Sequence, residues 1–427
     1  MNLLGKRLLV LGGTYTAKDI REYADKNGIT IIASGDKENH PLWKIADETY
    51  KANIKDRDAL VKLIREHNID GVFPGGNEDI ISMTIDLSEI TGIPFYATRQ
   101  QWDITNNKRK FKDACIKAGV PAVPEYYISD NPTREELDKV DYPVVVKPID
   151  GSGSRGVYYC KNEVELLNAI VNAKSFSNSK TIMVEKFMTG YITVFYTTII
   201  DGKFYPASMC DKYTNPNSVM PTISQLYLYP SRNLKMLMDK YFDSIKRLYE
   251  NLGIKNGVVG IQGFCNDKEI IFTEMGYRLG GTSQQNYTKA LYGYSNQDLL
   301  INYALTGRMC DSNELCLENP YFSKKCVTLS LISTGGVVKS VEGAEEVKAM
   351  PEVISCEQHY QVGDIIKKAD NVNMVFFRIF LVCNDINHVK DVVRKIQSTI
   401  KVQGIEGESI LQDNFDVNRI DKSPLWL

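Results

Sequence analysis

The chain has 427 residues, 43% of them apolar and 24% charged, a composition without a signature of disorder that predicts two to four packed domains around a cleft. Its formal net charge of −2, from 51 basic and 53 acidic side chains, argues against a protein that binds nucleic acid or a membrane surface through bulk positive charge. Nine scattered cysteines suggest neither a disulfide framework nor a zinc site, and no apolar run reaches the roughly 20 residues of a membrane span, so we expect a cytoplasmic protein with reduced cysteines.

The first hundred residues alternate between predicted strands and helices. RLLVLGG, ITIIASG and DGVFPGG are predicted strands, and residues 17–27 and 56–67 are predicted helices. This alternation predicts βαβ units on a parallel sheet. The LGGT turn after the first strand lacks the GxGxxG spacing, so we interpret its two glycines as close packing and not as a cofactor site.

The pattern changes near residue 104, where a domain boundary is predicted. The segment NKRKFKDACIKAG reads as a basic amphipathic helix that Gly119 ends. Residues 142–276 are predicted to consist mainly of strands, with a hairpin turn at Asp201-Gly202. From about residue 322, the strands KKCVTLSLIS and VFFRIFLVC and the helix INHVKDVVRKIQSTI predict a third, small α+β unit.

Residues 151–156, GSGSRG, satisfy the GxGxxG pattern between two apolar segments. A Walker loop is excluded because no Gly-Lys-Ser/Thr follows, and a dinucleotide fingerprint should open a helix, whereas the β-type run VYYC follows here. A glycine flap between two strands remains, its N–H groups able to face phosphate oxygens, and an ordinary flexible hairpin is the alternative. Lys147, inside the valine-rich strand before the loop, should point at a negative group because a buried unpaired lysine is costly.

The segment from residue 257 to residue 281 carries a second constellation. Two apolar strands flank NDKE, and a turn centred on Lys268 places Gln262 and Glu274 opposite each other on one face. An amide oxygen beside a carboxylate suits Mg²⁺, which completes its shell with water and phosphate oxygens. Arg278 could grip a carboxylate or an acyl phosphate with two hydrogen bonds. The alternatives are incidental polar residues on a half-buried hairpin and an ordinary surface arginine.

Together these motifs resemble the ATP-grasp ligases, particularly the carbamoyl-phosphate synthase, biotin carboxylase and L-amino-acid ligase branches. NKRKFKDACIKAGVPAVP is similar to the helix with the first ATP lysine, YPVVVKPIDGSGSRGV to the second lysine and its flap, MVEKFMTG to the adenine hinge, and TEMGYRLGG to the metal strand with its substrate arginine. Their order along the chain is also that of the family. The resemblance implies a Rossmann-like pre-ATP-grasp domain at residues 1–103, a two-lobed ATP-grasp domain at 104–311, and a small C-terminal α+β domain at 312–427.

The resemblance also implies roles for particular residues. Arg278 and Lys147 are the expected catalytic residues, and Gln262 and Glu274 the expected Mg²⁺ ligands. The expected ATP contacts are Lys108, Lys147, Gly151, Ser152, Gly153, Ser154, Gly156, Glu185, Lys186, Phe187 and Met188. Two positions depart from the family pattern: Gly276 stands where a third metal ligand is usual, and Ile192 where a ribose-binding glutamate is usual.

The function expected from this resemblance is an ATP- and Mg²⁺-dependent ligase that joins a small-molecule carboxylate to an amine through an acyl phosphate. A nucleotide-binding regulator without turnover is an alternative, motivated by Gly276 and Ile192, and a bicarbonate-dependent carboxylase is another. Residues 210–231, including Lys212, and residues 75–80 are expected to line the substrate cleft. The family also suggests a homodimer.

Overall fold

A computed structural model of the protein describes residues 1–35, 40–129, 131–150, 156–214, 223–266, 268–281, 284–311, 319–369 and 372–421. Within these residues the strands form four sheets. Of the cysteines in this part of the chain, all are free thiols, and most of them are buried. No helix among the described residues is long and apolar enough to cross a membrane.

The N-terminal sheet is parallel, with strand order β3-β2-β1-β4, as the alternating pattern predicts. Strand β3 was not predicted, because its three residues are too few to show a periodicity. Asp56 caps the second helix by accepting a hydrogen bond from the amide of Ala59. The elements are β1 (Arg7–Val10), α1 (Ala17–Asn27), β2 (Thr30–Ser34), β3 (Glu48–Tyr50), α2 (Arg57–Glu66), β4 (Gly71–Phe73) and α3 (Glu78–Thr91).

A second sheet is antiparallel, with strand order β5-β8-β6-β7, and we call this part of the structure the lid. Strands β6 and β7 pair on either side of the glycine loop, which confirms the predicted strand–loop–strand arrangement. The elements are α4 (Arg99–Thr105), α5 (Lys108–Ala118), β5 (Glu125–Tyr126), α6 (Arg134–Asp138), β6 (Val144–Pro148), β7 (Tyr158–Cys160), α7 (Glu163–Ser175) and β8 (Ile182–Lys186).

Residues 191–306 contain more helix than was predicted, because their apolar runs and turn residues are typical of strands. Its hairpin turn at Asp201-Gly202 is as predicted, and both residues have positive φ, of 49° and 77°. The elements are β9 (Tyr191–Ile200), β10 (Lys203–Thr214), β11 (Ser224–Tyr229), α8 (Leu234–Lys240), α9 (Phe242–Asn251), β12 (Gly257–Cys265), β13 (Ile270–Gly276), α10 (Gln285–Tyr292) and α11 (Asn296–Thr306).

The C-terminal segment shares a sheet with the segment before it. The eight-stranded sheet has the order β13-β12-β9-β10-β11-β14-β18-β16, so the predicted boundary at residue 312 separates strands that are joined by hydrogen bonds. A small sheet of order β17-β15-β19 lies beyond it. The elements are β14 (Lys325–Ile332), β15 (Gly336–Glu342), α12 (Ala344–Lys348), β16 (Val353–Gln358), β17 (Ile365–Ile366), β18 (Val375–Cys383), α13 (Ile386–Thr399) and β19 (Lys401–Gly404).

Close backbone contacts hold the N-terminal sheet in place. A Cβ at Gly12 would lie 1.9 Å from the carbonyl oxygen of Pro74, which supports the interpretation of the LGGT turn as a packing feature. A Cβ at Gly71, in β4, would lie 2.0 Å from the carbonyl oxygen of Ala304 in α11. Helix α11 therefore approaches β4 at backbone distance and fixes the N-terminal sheet against the rest of the molecule.

We expect Gly71→Ala to lower the free energy of unfolding by about 1–3 kcal/mol, because the helix must move away to admit one methyl group. The matched control is Gly35→Ala, whose Cβ would meet, among the described residues, only the indole nitrogen of Trp43, at an ordinary 3.7 Å. Urea denaturation of the two variants measures the difference. Equal stability of both variants would show that α11 is free to shift.

Asp298, in the first turn of α11, gives the fold a pH dependence. Burial raises its pKa from 3.8 to about 7, with Asp19 of α1 adding to this effect and Lys289 opposing it. The folded protein therefore binds this proton more tightly than the unfolded chain, so the stabilisation is complete below pH 3.8 and is lost as the pH rises through about 7.

Asp298→Asn should accordingly raise the stability at pH 8 by on the order of 1 kcal/mol, a value reduced for the partial exposure of the group. At pH 5 the gain should shrink towards zero. Asp243→Asn, at an exposed first-turn position of α9, controls for the loss of a negative charge at a helix N-terminus. Urea midpoints at the two pH values provide the measurement, and a gain that does not depend on pH would contradict the assignment.

Candidate functional site

Gln262 and Glu274 face each other across the β12–β13 hairpin, as the sequence predicted. Nearer the turn the register differs by one residue, because Gly263 pairs with Phe272 and Thr273 is an extra, bulged residue. The turn is thus centred slightly earlier than Lys268, and the bulge restores the predicted pair. The Gln262 side-chain amide donates a 2.9 Å hydrogen bond to Glu274 Oε1.

Lys212 of β10 completes this group. Its ammonium donates to Gln262 Oε1 over 2.5 Å, so the amide oxygen faces a positive charge and the amide nitrogen faces the carboxylate. Lys212 therefore lies in the site, at the edge of the segment expected to line the substrate cleft. A cation already contacts the oxygen that was predicted to bind Mg²⁺.

The donor set fits a Mg²⁺ ion that takes its remaining ligands from water and phosphate. Gln262 and Glu274 supply two oxygen donors, and Gly276 supplies no side chain where the family pattern has a third ligand. Over the described ranges, no group of three or more His, Cys, Asp or Glu side chains could hold a metal by itself. Mg²⁺ needs no such cage, since it usually keeps several waters and binds one or two protein ligands together with substrate phosphates.

Arg278 is held by a carboxylate from the N-terminal part of the chain. Its guanidinium donates to Glu78 Oε1 from Nη2 over 2.7 Å and from Nε over 3.2 Å. Burial by itself would lower the pKa of Arg278, but the Glu78 carboxylate outweighs burial and the pKa is raised. Glu78 was not singled out from sequence, although it lies in the segment 75–80 that follows a parallel strand and was expected at the cleft.

Lys147 is nearly buried and points at a negative group, as predicted, but that group belongs to the protein itself. Its ammonium lies 2.5 Å from Glu185 Oε2, and the two residues are 9% and 4% exposed. They occupy neighbouring lid strands, on the same face and two residues apart in register. Glu185 was expected to contact adenine, and in the structure its carboxylate forms this ion pair.

A second lysine reaches the same carboxylate. Lys112 of α5 lies 2.6 Å from Glu185 Oε1, a close ionic contact with poor hydrogen-bond alignment, and 3.4 Å from Glu125 Oε2. Arg109 binds the other oxygen of Glu125 over 2.7 Å. Sequence reasoning missed Lys112 and Glu125. The spacing offered a signal, because Lys108 and Lys112 lie four residues apart and therefore on one face of the helix.

Lys108 lies where these two groups of side chains come together. It is the first residue of α5, and its backbone amide donates to the carbonyl of Ile149 over 3.0 Å. Burial lowers the pKa of its ammonium, although the carboxylates of Glu274, Glu78 and Glu185 act in the opposite direction. Lys108 therefore interacts electrostatically with carboxylates on the hairpin, on helix α3 and in the lid. An anionic ligand would offset the cost of burying its positive charge.

Backbone amides of the predicted hinge donate hydrogen bonds to other parts of the lid. The amide of Lys186 donates to the carbonyl of Pro124 over 3.0 Å, and the amide of Phe187 donates to the carbonyl of Pro143 over 3.1 Å. The Lys186 side chain is exposed and pairs with Asp141, whereas Phe187 is buried. Two of the three hinge N–H groups are therefore engaged within the lid, and a contact of adenine with residues 186–188 would use other hinge atoms, such as those of Met188.

The glycine flap is only partly within the described residues. The predicted phosphate contacts Gly151, Ser152, Gly153 and Ser154 lie outside them. Gly156 is described and has a φ of 72°, a conformation that suits glycine. A Cβ there would also lie 2.7 Å from the Phe176 side chain, so glycine is required at this position for two reasons.

The chain is similar to known proteins in sequence and in fold. Residues 107–280 match the family described as "Carbamoyl-phosphate synthase L chain, ATP binding domain". The formate-dependent phosphoribosylglycinamide formyltransferase of Prochlorococcus marinus (strain NATL2A) is 24% identical over 290 residues, which are 65% of this chain and 71% of that protein.

Two solved structures have the same fold over nearly the whole chain. The L-amino acid ligase from Bacillus licheniformis aligns with 94% of this chain and 99% of its own, at 20% identity and a TM-score of 0.76. The biotin carboxylase domain of the Hydrogenobacter thermophilus 2-oxoglutarate carboxylase, described as a dimer in complex with MgADP, ADP and bicarbonate, aligns with 93% of this chain and 91% of its own, at 19% identity and a TM-score of 0.75.

Proposed function

We propose that this protein is an ATP- and Mg²⁺-dependent ligase of the ATP-grasp type that joins a small-molecule carboxylate to an amine, a proposal supported by its motifs and by the proteins to which it is similar. The observation that carries the proposal is the position of Lys108, a partly buried cation near the hairpin carboxylate Glu274 and the lid pair Lys147–Glu185. A triphosphate between the hairpin and the lid would reach all of these groups.

The proposed reaction has two steps. In the first, a carboxylate oxygen attacks the γ-phosphorus of ATP, the bond to the β-phosphate oxygen breaks, and ADP leaves behind an acyl phosphate. In the second, an amine nitrogen attacks the acyl carbon, loses a proton, and displaces inorganic phosphate. Lys108 and Lys147 stabilise the phosphate charge, and Arg278, held in place by Glu78, binds the reacting carboxylate.

Gln262 and Glu274 would hold Mg²⁺, which supplies charge neutralisation on the phosphate oxygens when it is bound. For this, Lys212 must leave Gln262 Oε1, and it then becomes a further cation facing the phosphates or the substrate. The flap at residues 151–156 is proposed to cover the phosphates and exclude water, which would otherwise hydrolyse the acyl phosphate.

Phosphate release in the presence of ATP and Mg²⁺ tests the proposal. Pools of carboxylic acids, each with and without a pool of amines, are added to the purified protein. Release that depends on an added acid supports the ligase. Release that depends on bicarbonate alone would show a carboxylase, and nucleotide binding without release under any pool would show a regulator.

We extend the proposal to a homodimer, because one solved structure of the same fold is described as a domain dimer. Light scattering coupled to size-exclusion chromatography measures the mass directly. A mass near the 48.3 kDa of one chain would overturn this part of the proposal and leave the ligase assignment untouched.

A further inference from the structure

A row of five charges runs from helix α5 into the lid; four of its side chains are nearly buried and Arg109, at one end, is partly exposed. Three are positive and two negative, and they alternate along the row: Arg109, Glu125, Lys112, Glu185 and Lys147. The row carries one net positive charge, and Lys147 ends it at the proposed phosphate position. It also connects helix α5 to three strands of the lid.

The two carboxylates are direct neighbours. Glu125 and Glu185 face each other across the β5–β8 pair, with side chains that are 2% and 5% exposed. Like charges in direct register repel one another, and burial strengthens the repulsion. The Lys112 ammonium contacts both carboxylates and is itself only 6% exposed, so it supplies the positive charge that lets them lie together.

Nucleotide binding would disturb this balance at one point. In the structure, the Lys147 ammonium is paired with Glu185 Oε2 over 2.5 Å. A phosphate that attracts Lys147 would remove one of the two cations of Glu185. A buried carboxylate stripped of its partner is strongly destabilised, and it either takes up a proton or holds back the lysine.

We propose that Lys112 is a positioning residue that keeps Glu185 ionised and satisfied while Lys147 is released to the nucleotide phosphates. This inference rests on the proposed function, and it adds a role for a residue to which the family resemblance assigned none. Lys112 does not touch the nucleotide in this scheme. It acts through Glu185, by providing a second and permanent counter-ion.

The electrostatics of Glu185 support the proposal. Burial alone raises the pKa of its carboxyl, yet Lys147 and Lys112 outweigh burial and hold the pKa below its ordinary value. The other charged groups nearby are Glu125 on β5 and Lys108 on α5. If either Lys147 or Lys112 is lost, the Glu185 carboxylate still has one lysine as a partner. If both are lost, only Lys108 opposes the effect of burial on the pKa of Glu185.

Calorimetric titration of MgADP into the protein tests this, because the heat measured in buffers of different ionisation enthalpy gives the number of protons taken up. Lys112→Met should take up more protons per nucleotide than the wild type, with an excess approaching one, as Glu185 becomes protonated when Lys147 leaves. Its affinity should rise up to tenfold for each unit of falling pH, while the wild-type affinity changes far less. Lys110→Met, an exposed lysine of the same helix, should match the wild type.

Three further variants keep the test decisive. Lys112→Met with Glu125→Gln removes one charge of each sign, so it keeps the net charge of the row and should fold even where Lys112→Met alone does not; the proton excess should persist in it. Lys112→Met with Glu185→Gln should lose the excess, because an amide takes up no proton. Lys112→Arg, which keeps the charge, should restore the wild-type pH dependence.

A proton count and affinity in Lys112→Met equal to those of Lys110→Met would overturn the proposal, and so would an excess that survives Glu185→Gln. These outcomes differ from a failure of the proposed function. If the wild-type protein binds no adenine nucleotide, the ligase assignment fails at that point. If the wild type binds MgADP but Lys112 has no effect on protons or pH dependence, only the role of Lys112 is refuted.

Discussion

Glu274→Gln is expected to lower kcat for acid-dependent phosphate release by about 100-fold or more, the size of effect seen when one stabiliser of transition-state charge is removed. Glu274 is the only full negative charge of the predicted metal pair, and the glutamine keeps its size. The exposed carboxylate has room for a ligand, since its one hydrogen bond in the described structure is to the Gln262 amide. Initial rates at saturating ATP, over a range of Mg²⁺ concentrations, provide the measurement.

Glu269→Gln is the matched control, because it removes the same charge from the exposed turn of the same hairpin. The half-saturating Mg²⁺ concentration should rise in Glu274→Gln and stay unchanged in Glu269→Gln. Equal activity and equal Mg²⁺ dependence in the two variants would show that the metal, if one is used, is bound elsewhere.

The hydrogen bonds of the Gln262 side chain explain why an amide suits this position. The Lys212 ammonium contacts the amide oxygen and the Glu274 carboxylate contacts the amide nitrogen, so every polar atom of Gln262 has a partner. A glutamate in place of Gln262 would put two carboxylates side by side, as in Glu125 and Glu185, and would need a cation throughout. The amide at Gln262 therefore avoids the repulsion that a second carboxylate would exert on Glu274.

Local features of this site were predictable from sequence. Alternating apolar residues on either side of NDKE fix two strands, and the side-chain period of two then places residues 262 and 274 on one face. The strand–loop–strand arrangement around the glycine flap followed in the same way, because VYYC has no helical periodicity. Each of these inferences needs only neighbours within about twenty residues.

Contacts between distant segments were not predictable in this way. Glu78 and Arg278 lie 200 residues apart in sequence, and nothing local to either residue indicates the other. The role of Lys112 depends on two lid strands bringing Glu125 and Glu185 together, which a basic helix by itself does not reveal. Single-sequence reasoning therefore named the charged residues that are proposed to face the ligand and missed the charged residues that pair with them.

Arg278→Met is expected to abolish acid-dependent phosphate release, with kcat/KM for the acid falling by about 100-fold or more, while the affinity for MgADP changes by less than about threefold. The reason is the pairing of the side chains: Arg278 pairs with Glu78 of helix α3, whereas the proposed phosphate contact Lys147 pairs with Glu185 in the lid, so Arg278 should meet the acid and not the nucleotide. Arg278→Lys should recover little activity, because an ammonium cannot grip a carboxylate with two parallel hydrogen bonds. Steady-state kinetics and calorimetry on the same preparations separate the two effects.

The partner carboxylate needs its own control, since Arg278→Met leaves Glu78 partly buried without a counter-ion and should cost about 1–3 kcal/mol of stability. Adding Glu78→Gln should return most of that stability and none of the activity, whereas Arg308→Met, at an exposed position, should change neither. Recovery of activity in the double variant would mean that Arg278 serves only to neutralise Glu78. A parallel loss of MgADP binding and of turnover in Arg278→Met would place the arginine on the nucleotide, and the carboxylate-binding role would then have to be assigned to another cation of the site, with Lys212 the first to examine.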